Sequence, residues 1–201
     1  MQHAQAADPA LATTTGLDHR KLLMWLFLGS ECLFFGSLIG TYLLYRNRTE
    51  EIGIGPVPSD LFDIPFTSVT TFVLLMSSVT MVLALAAIQR GDRRGTQVWL
   101  LATALLGITF LAGQAFEFTD FYNQGLALDT NLFGTTFYVL TGFHGAHVSV
   151  GVLLLLSLFV MVQRGRLTPA NSINVELVGL YWHFVDIVWI VIFTLVYLVQ
   201  T

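Results

Sequence analysis

Five runs of mostly apolar residues, at 22–45, 64–88, 97–118, 132–162 and 173–199, dominate this sequence. A bilayer core about 30 Å thick is crossed by roughly 20 such residues in a helix. Hydrocarbon offers no partner for backbone N–H and C=O groups, so each run must satisfy its own as a helix. The expected fold is therefore an all-α polytopic bundle of five transmembrane helices. Composition agrees: of 201 residues, 55% are hydrophobic and 11% charged, with a mean hydropathy of +0.71. Those values exclude a disordered chain and argue against a water-soluble domain. Nine Lys and Arg face thirteen Asp and Glu, which excludes a basic nucleic-acid binder, so no nucleic-acid partner is expected. Cys32, the single cysteine, allows no internal disulfide and no cysteine-based metal site.

The linkers carry the breakers. Gly53, Gly55, Pro56 and Pro58 lie in 46–63; the turn 89–95 holds Gly91 and Gly95; 119–131 holds Asn123, Gly125 and Asp129; and Pro169 closes 163–169 before the last run. Arg20, Lys21, Arg90, Arg93, Arg94, Arg164 and Arg166 fall on one side of the expected membrane, whereas Arg46 and Arg48 fall on the other among Glu50, Glu51, Asp60 and Asp63. The excess of basic residues marks the inside, placing the N-terminus inside and the C-terminus outside. Residues 1–20 read as a polar, mobile tail without the basic region of a signal peptide, and 21–201 as one transmembrane domain. Trp25, Tyr42, Tyr45, Trp99, Tyr122 and Tyr197 near the run ends read as an interfacial belt.

Ionisable residues inside the runs each need an account. Glu31 lies about 15 Å into the first helix, close to mid-membrane. Two readings stand: a proton-linked or lipid-facing carboxylate, or a neutral, hydrogen-bonded acid that joins helices. His144 and His147 are three apart on the fourth helix, as are His183 and Asp186 on the fifth, so each pair shares a face. Glu176 lies two turns before His183, and Glu117 near the end of the third helix after Gln114. Together these groups read as a polar network between helices. Membrane histidines suit haem or metal ligation, with His147 and His183 at compatible depths. Imidazoles bonded to carboxylates or carbonyls suit the pattern as well. Gly36 with Gly40, and Thr141 with Gly145 and Ser149, are spaced for close helix approach. No phosphate-binding glycine loop and no hydrolase triad is present, and no catalytic residue is expected within the chain.

Five segments occur in a recognisable order: Ser30-Glu31-Cys32-Leu33-Phe34-Phe35, Gly91-Asp92-Arg93, Gln114-Ala115-Phe116-Glu117-Phe118, Thr141-Gly142-Phe143-His144-Gly145-Ala146-His147-Val148 and Tyr181-Trp182-His183-Phe184-Val185-Asp186-Ile187-Val188-Trp189. In these the chain resembles subunit III of the haem–copper oxidases, the cytochrome c oxidase subunit III family, from about His19 onward. The last two segments are the most specific. The resemblance implies a non-redox accessory subunit of a proton-pumping aa3-type oxidase of the aerobic respiratory chain. Such a subunit stabilises the catalytic subunit I and supports proton uptake and lipid binding while the complex reduces dioxygen to water. It implies no haem, copper or other metal in this chain; haem and copper belong to partner subunits, and bound phospholipid is expected.

By the same resemblance Glu31 matches the family's buried carboxylate near lipid and subunit I. Glu117, His144, His147, His183 and Asp186 match its helix-joining polar positions. Arg90, Arg93 and Arg94 would sit at the inner surface beside anionic headgroups. The implied partners are subunit I as main contact, subunit II and possible further respiratory complexes. The implied location is the bacterial cytoplasmic membrane. Many members have seven helices and this chain resembles the last five, so the lipid cleft walled by the first two is absent or completed by another subunit or segment. Subunit III of a quinol oxidase, or a nitric-oxide-reductase-associated relative, is the alternative on this fold. A stand-alone membrane haem protein using His147 and His183 is the alternative of another class.

Overall fold

The computed structural model describes residues 18–46 and 62–199; the tail 1–17 and most of the first linker, with Gly53, Gly55, Pro56 and Pro58, lie outside the described residues. Five helices follow in chain order: α1 His19–Tyr45, α2 Ile64–Gln89, α3 Arg93–Asn123, α4 Leu132–Gln163 and α5 Ile173–Phe193, the last continued by a π-helical turn, Thr194–Leu198. All five are long and apolar enough to cross a membrane.

Four helices start on an acidic or amide cap, a residue whose side chain accepts an otherwise unpaired N–H of the first turn. Asp18 accepts from Arg20, Asp63 from Phe66, Asp92 from Gly95 and Asn131 from Gly134. The Arg20 guanidinium beside Asp18 also holds that carboxyl below the usual carboxylate range. The cap at Asp92 explains a difference from the sequence reading. The turn expected at 89–95 is shorter, and α3 starts four residues before its apolar run. Hydropathy marks the part inside hydrocarbon, whereas the cap marks the helix. Helices α2 and α4 end alike, on Gly91 (φ 76°) and Gly165 (φ 69°). There the left-handed backbone lets the next two N–H groups bond back to the last turn.

Helices α2, α3, α4 and α5 form a ring in which each packs on its sequence or ring neighbours, and α1 lies outside it against α4 and α5. Accordingly α1 buries only a narrow stripe, Leu28, Phe35 and Tyr42. It is held at three depths. Lys21 pairs with Glu176 of α5 at 2.7 Å, Glu31 with His147 of α4, and Arg46 donates to the carbonyls of Leu195 (3.3 Å) and Val199 (2.7 Å) at the far end of α5.

The ring closes around two buried tryptophans of α5. Trp182 donates its indole N–H to Ser77 Oγ and Trp189 donates to Thr71 Oγ1, both on α2 at 2.9 Å. Gly107 of α3 and Gly151 of α4 flank Trp182 so closely that an added Cβ would lie 2.6 and 2.7 Å from its ring. The close approaches thus occur here. At Gly36 and Gly40, where the sequence suggested them, an added Cβ would meet nothing within 4 Å. The stripe on α4 is tight at Gly145, against Gln114, whose amide donates to the Thr141 carbonyl at 2.8 Å. The expected aromatic belt also divides. Trp25 and Tyr122 are exposed, while Tyr42 and Tyr197 are buried, because both turn inward onto the phenylalanine cluster of Phe62, Phe133 and Phe137.

Candidate functional site

The ionisable residues read from the sequence as one network stand in separate stations, each joining a different pair of helices. The first is Glu31 with His147, between α1 and α4. His147 Nε2 lies 3.2 Å from Glu31 Oε2, and its Nδ1 lies 2.7 Å from the Phe143 carbonyl. A carbonyl only accepts, so Nδ1 carries its hydrogen. Nε2 and the Glu31 carboxyl stand at ion-pair distance, so each is the other's nearest polar partner across the two helices. Phe34, Phe35 and Phe143 surround it, with the Phe35 ring 5.0 Å from the imidazole. Tyr181 of α5 donates to the His147 carbonyl at 3.0 Å.

The second station joins α5 to α2. Ser78 donates to Asp186 Oδ2 at 2.6 Å, and His183 Nδ1 lies 3.1 Å from the same hydroxyl. One hydroxyl between an imidazole and a carboxylate relays a single direction of donation: Nδ1–H to Ser78 Oγ, and Ser78 O–H to Asp186. This order differs from a hydrolase triad, in which histidine stands between serine and carboxylate. The third station joins α3 to α2, where the buried carboxyl of Glu117 accepts from Thr67 Oγ1.

His144 joins none of these. It is fully buried, stacks on Trp189 with ring centres 4.8 Å apart and meets the edge of Phe110. Neither of its ring nitrogens has a hydrogen-bond partner in the structure. Glu176 lies apart as well, at the end of α5 with Lys21. At that same end Arg93 bonds the carbonyls of Val162 and Gln163, closing the C-terminus of α4, while Arg90 and Arg94 are exposed.

The sequence reading passed over the partners. Thr67, Thr71 and Ser78 lie four and seven residues apart on α2, and so share one stripe. That stripe receives Glu117, Trp189, Asp186 and His183. The signal was present as a run of hydroxyls in an apolar helix. Such hydroxyls commonly bond their own backbone, as Ser30, Ser37 and Thr41 do on α1.

Five spans, four of them opened by a side-chain cap, with three polar stations joining helices, define a polytopic membrane protein of the helical-bundle class. The family model described as cytochrome c oxidase subunit III matches residues 6–201. Quinol oxidase subunit 3 of Bacillus subtilis (strain 168) is 38% identical over 174 residues, covering 87% of this chain and 84% of the relative. Cytochrome c oxidase subunit 3 of Bacillus sp. (strain PS3) is 38% identical over 193 residues, covering 96% and 91%. That of Synechocystis sp. (strain PCC 6803) is 42% identical over 182 residues, covering 90% and 76%. The chain belongs to the cytochrome c oxidase subunit III family.

Proposed function

We propose that this chain is the non-redox subunit III of a proton-pumping, aa3-type cytochrome c oxidase in a bacterial cytoplasmic membrane. The observation that carries the reading is the family match across all five spans. In this reading 21–201 forms the membrane domain behind a tail of 1–20, with the N-terminus inside and the C-terminus outside. The chain packs against the haem-bearing subunit I, with subunit II in the same complex and phospholipid at its surfaces, and it carries no haem, copper or catalytic residue of its own.

The residues support an accessory role. The polar stations hold helices to one another, and each imidazole or carboxyl they use is committed to a neighbour. His147 has both ring nitrogens engaged and His183 has Nδ1 engaged, so ligating a haem through this pair would cost an existing contact of His147. That favours the oxidase reading over a stand-alone haem protein. The exposed Arg90, Arg94, Arg164 and Arg166 form a cationic rim at one end of the bundle. Such a rim attracts anionic headgroups at an inner surface, next to which protons would be taken up.

The electron donor distinguishes the cytochrome c branch from the quinol branch, since relatives of both names are similarly close. Turnover of the isolated complex with reduced cytochrome c, against turnover with a quinol, tests this. Faster oxidation of cytochrome c is expected; oxidation of quinol alone would assign the chain to the other branch.

A further inference from the structure

Two adjoining hollows lie on the side of α4 away from the core, at the end of the bundle opposite the arginine rim. The first, of about 410 Å³, sits at the α3–α4 connection and is lined by Phe118, Tyr122, Ala127, Leu128, Asp129 and Tyr138. The second, of about 270 Å³, shares Leu128 and Tyr138 with it and continues along Val139, Gly142, Phe143 and Ala146. Those four positions are spaced by three, one and three residues, hence on one face of α4. From Val139 to Ala146 the groove follows about 10 Å of helix. Its floor is open at Gly142, where an added Cβ would meet nothing within 4 Å.

The two hollows differ in chemistry. The second is walled by apolar side chains, and the Tyr138 hydroxyl is committed to the Leu126 carbonyl at 2.9 Å. The first sets the rings of Phe118, Tyr122 and Tyr138 beside one carboxylate. Tyr122 is 69% exposed. Asp129 is exposed as well, and its side chain has no ion pair or hydrogen bond among the described residues. Between Gly95 and Gln163 the chain holds no Lys or Arg, and Arg46, at the same end of the bundle, is spent on carbonyls of α5. Of the other carboxylates there, Glu117 is buried against Thr67 and Asp120 is bonded by Gln124. No cation of this chain lines the hollow, so its negative charge is unanswered there. Ring faces and a carboxylate both attract an organic cation, the one through the quadrupole and the other through its charge. The same surroundings repel a phosphate, which would find no guanidinium or ammonium to receive it.

We propose that the two hollows form one site for an amphiphilic organic cation that carries no anionic group. Its ammonium head sits among Phe118, Tyr122, Asp129 and Tyr138, and a single apolar chain lies along Val139, Gly142 and Ala146. The site is separate from the polar stations between helices. It stands whichever electron donor serves the surrounding oxidase.

The test uses the whole complex in a mild non-ionic detergent, with its haem spectrum as the check on integrity. The probe is dodecyltrimethylammonium with a diazirine at the end of its chain. After irradiation, the labelled peptides of this chain are identified by mass spectrometry. Saturable label on α4 between 139 and 146 is expected. Unlabelled dodecyltrimethylammonium should compete for it, and dodecyl sulfate and phosphatidylethanolamine should not. Label spread evenly over the lipid-facing helices, or displaced equally by the sulfate, would show detergent partition only and overturn the site. Displacement by phosphatidylethanolamine as strong as by the amine would overturn the exclusion of a phosphate, and the proposal with it. Two variants separate head from chain. Asp129→Asn removes the charge from an exposed side chain, and Gly142→Phe fills the groove from a position with room. Each should lower saturable labelling several-fold in a complex with an unchanged haem spectrum. Unchanged labelling of Asp129→Asn would overturn the placement of the head, and that variant decides alone if Gly142→Phe fails to assemble.

Discussion

At the scale of single residues, the Glu31–His147 pair carries a definite prediction. In Glu31→Gln the amide keeps the side chain's shape and offers a donor toward Nε2, so the contact persists and assembly should be nearly unchanged. In Glu31→Ala, Nε2 loses its partner, and for this half-buried group the cost is at most the about 1–3 kcal/mol of a fully buried one. Thermal unfolding of the two variants checks this: a lowered midpoint for Glu31→Ala alone is expected. Proton uptake measured on the Gln variant separates the two roles the sequence left open for Glu31. Unchanged uptake fits a structural carboxyl, and a marked loss would make it a proton carrier. The glycines around Trp182 give a second prediction. Gly107→Ala or Gly151→Ala forces a methyl into the indole, and overpacking of this kind costs about 1–3 kcal/mol. Gly36→Ala and Gly142→Ala enter open space and should leave the unfolding midpoint in place.

At the scale of helices, the C-terminal carbonyls of α4 depend on a side chain from the start of α3. Arg93→Ala removes the donors held by Val162 and Gln163 together with a cation at the negative end of the helix dipole. Amide exchange in residues 158–166 should quicken about tenfold, consistent with roughly 1–2 kcal/mol of lost local stability; unchanged exchange would show that water closes that end equally well. Legibility in the sequence also divides at this scale. Each span was readable because an apolar run of bilayer length has few other fates. The helix ends were less so: Asp92 caps α3 outside its apolar run, and the Arg-Arg-Gly-Thr turn that follows carries no hydropathic signal. An expected depth can be assigned to Glu31, His147, His183 and Asp186 by counting residues from the span ends. Pairing cannot be counted in this way. It depends on how helices rotate against one another, and the partners chosen, Ser78 and Thr67, are residue types whose isolated presence says little. Tyr42 and Tyr197 show the same gap: their position near span ends suggested an interface, and the rotation of α1 and α5 turned them into core.

At the scale of the whole molecule, the family membership and the five spans place this chain in a respiratory oxidase, and the role proposed for it there is holding and supporting rather than redox chemistry. Removing it from the complex should leave haem chemistry possible, slow proton uptake, and hasten inactivation during sustained turnover. Oxygen consumption followed over many turnovers, with and without this subunit, measures that; identical inactivation curves would contradict the supporting role. The most direct test of the central claim is purification on this chain in mild detergent, followed by a visible spectrum and identification of what travels with it. The account predicts haem a absorbance and a large polytopic subunit alongside. A colourless chain migrating alone would contradict it.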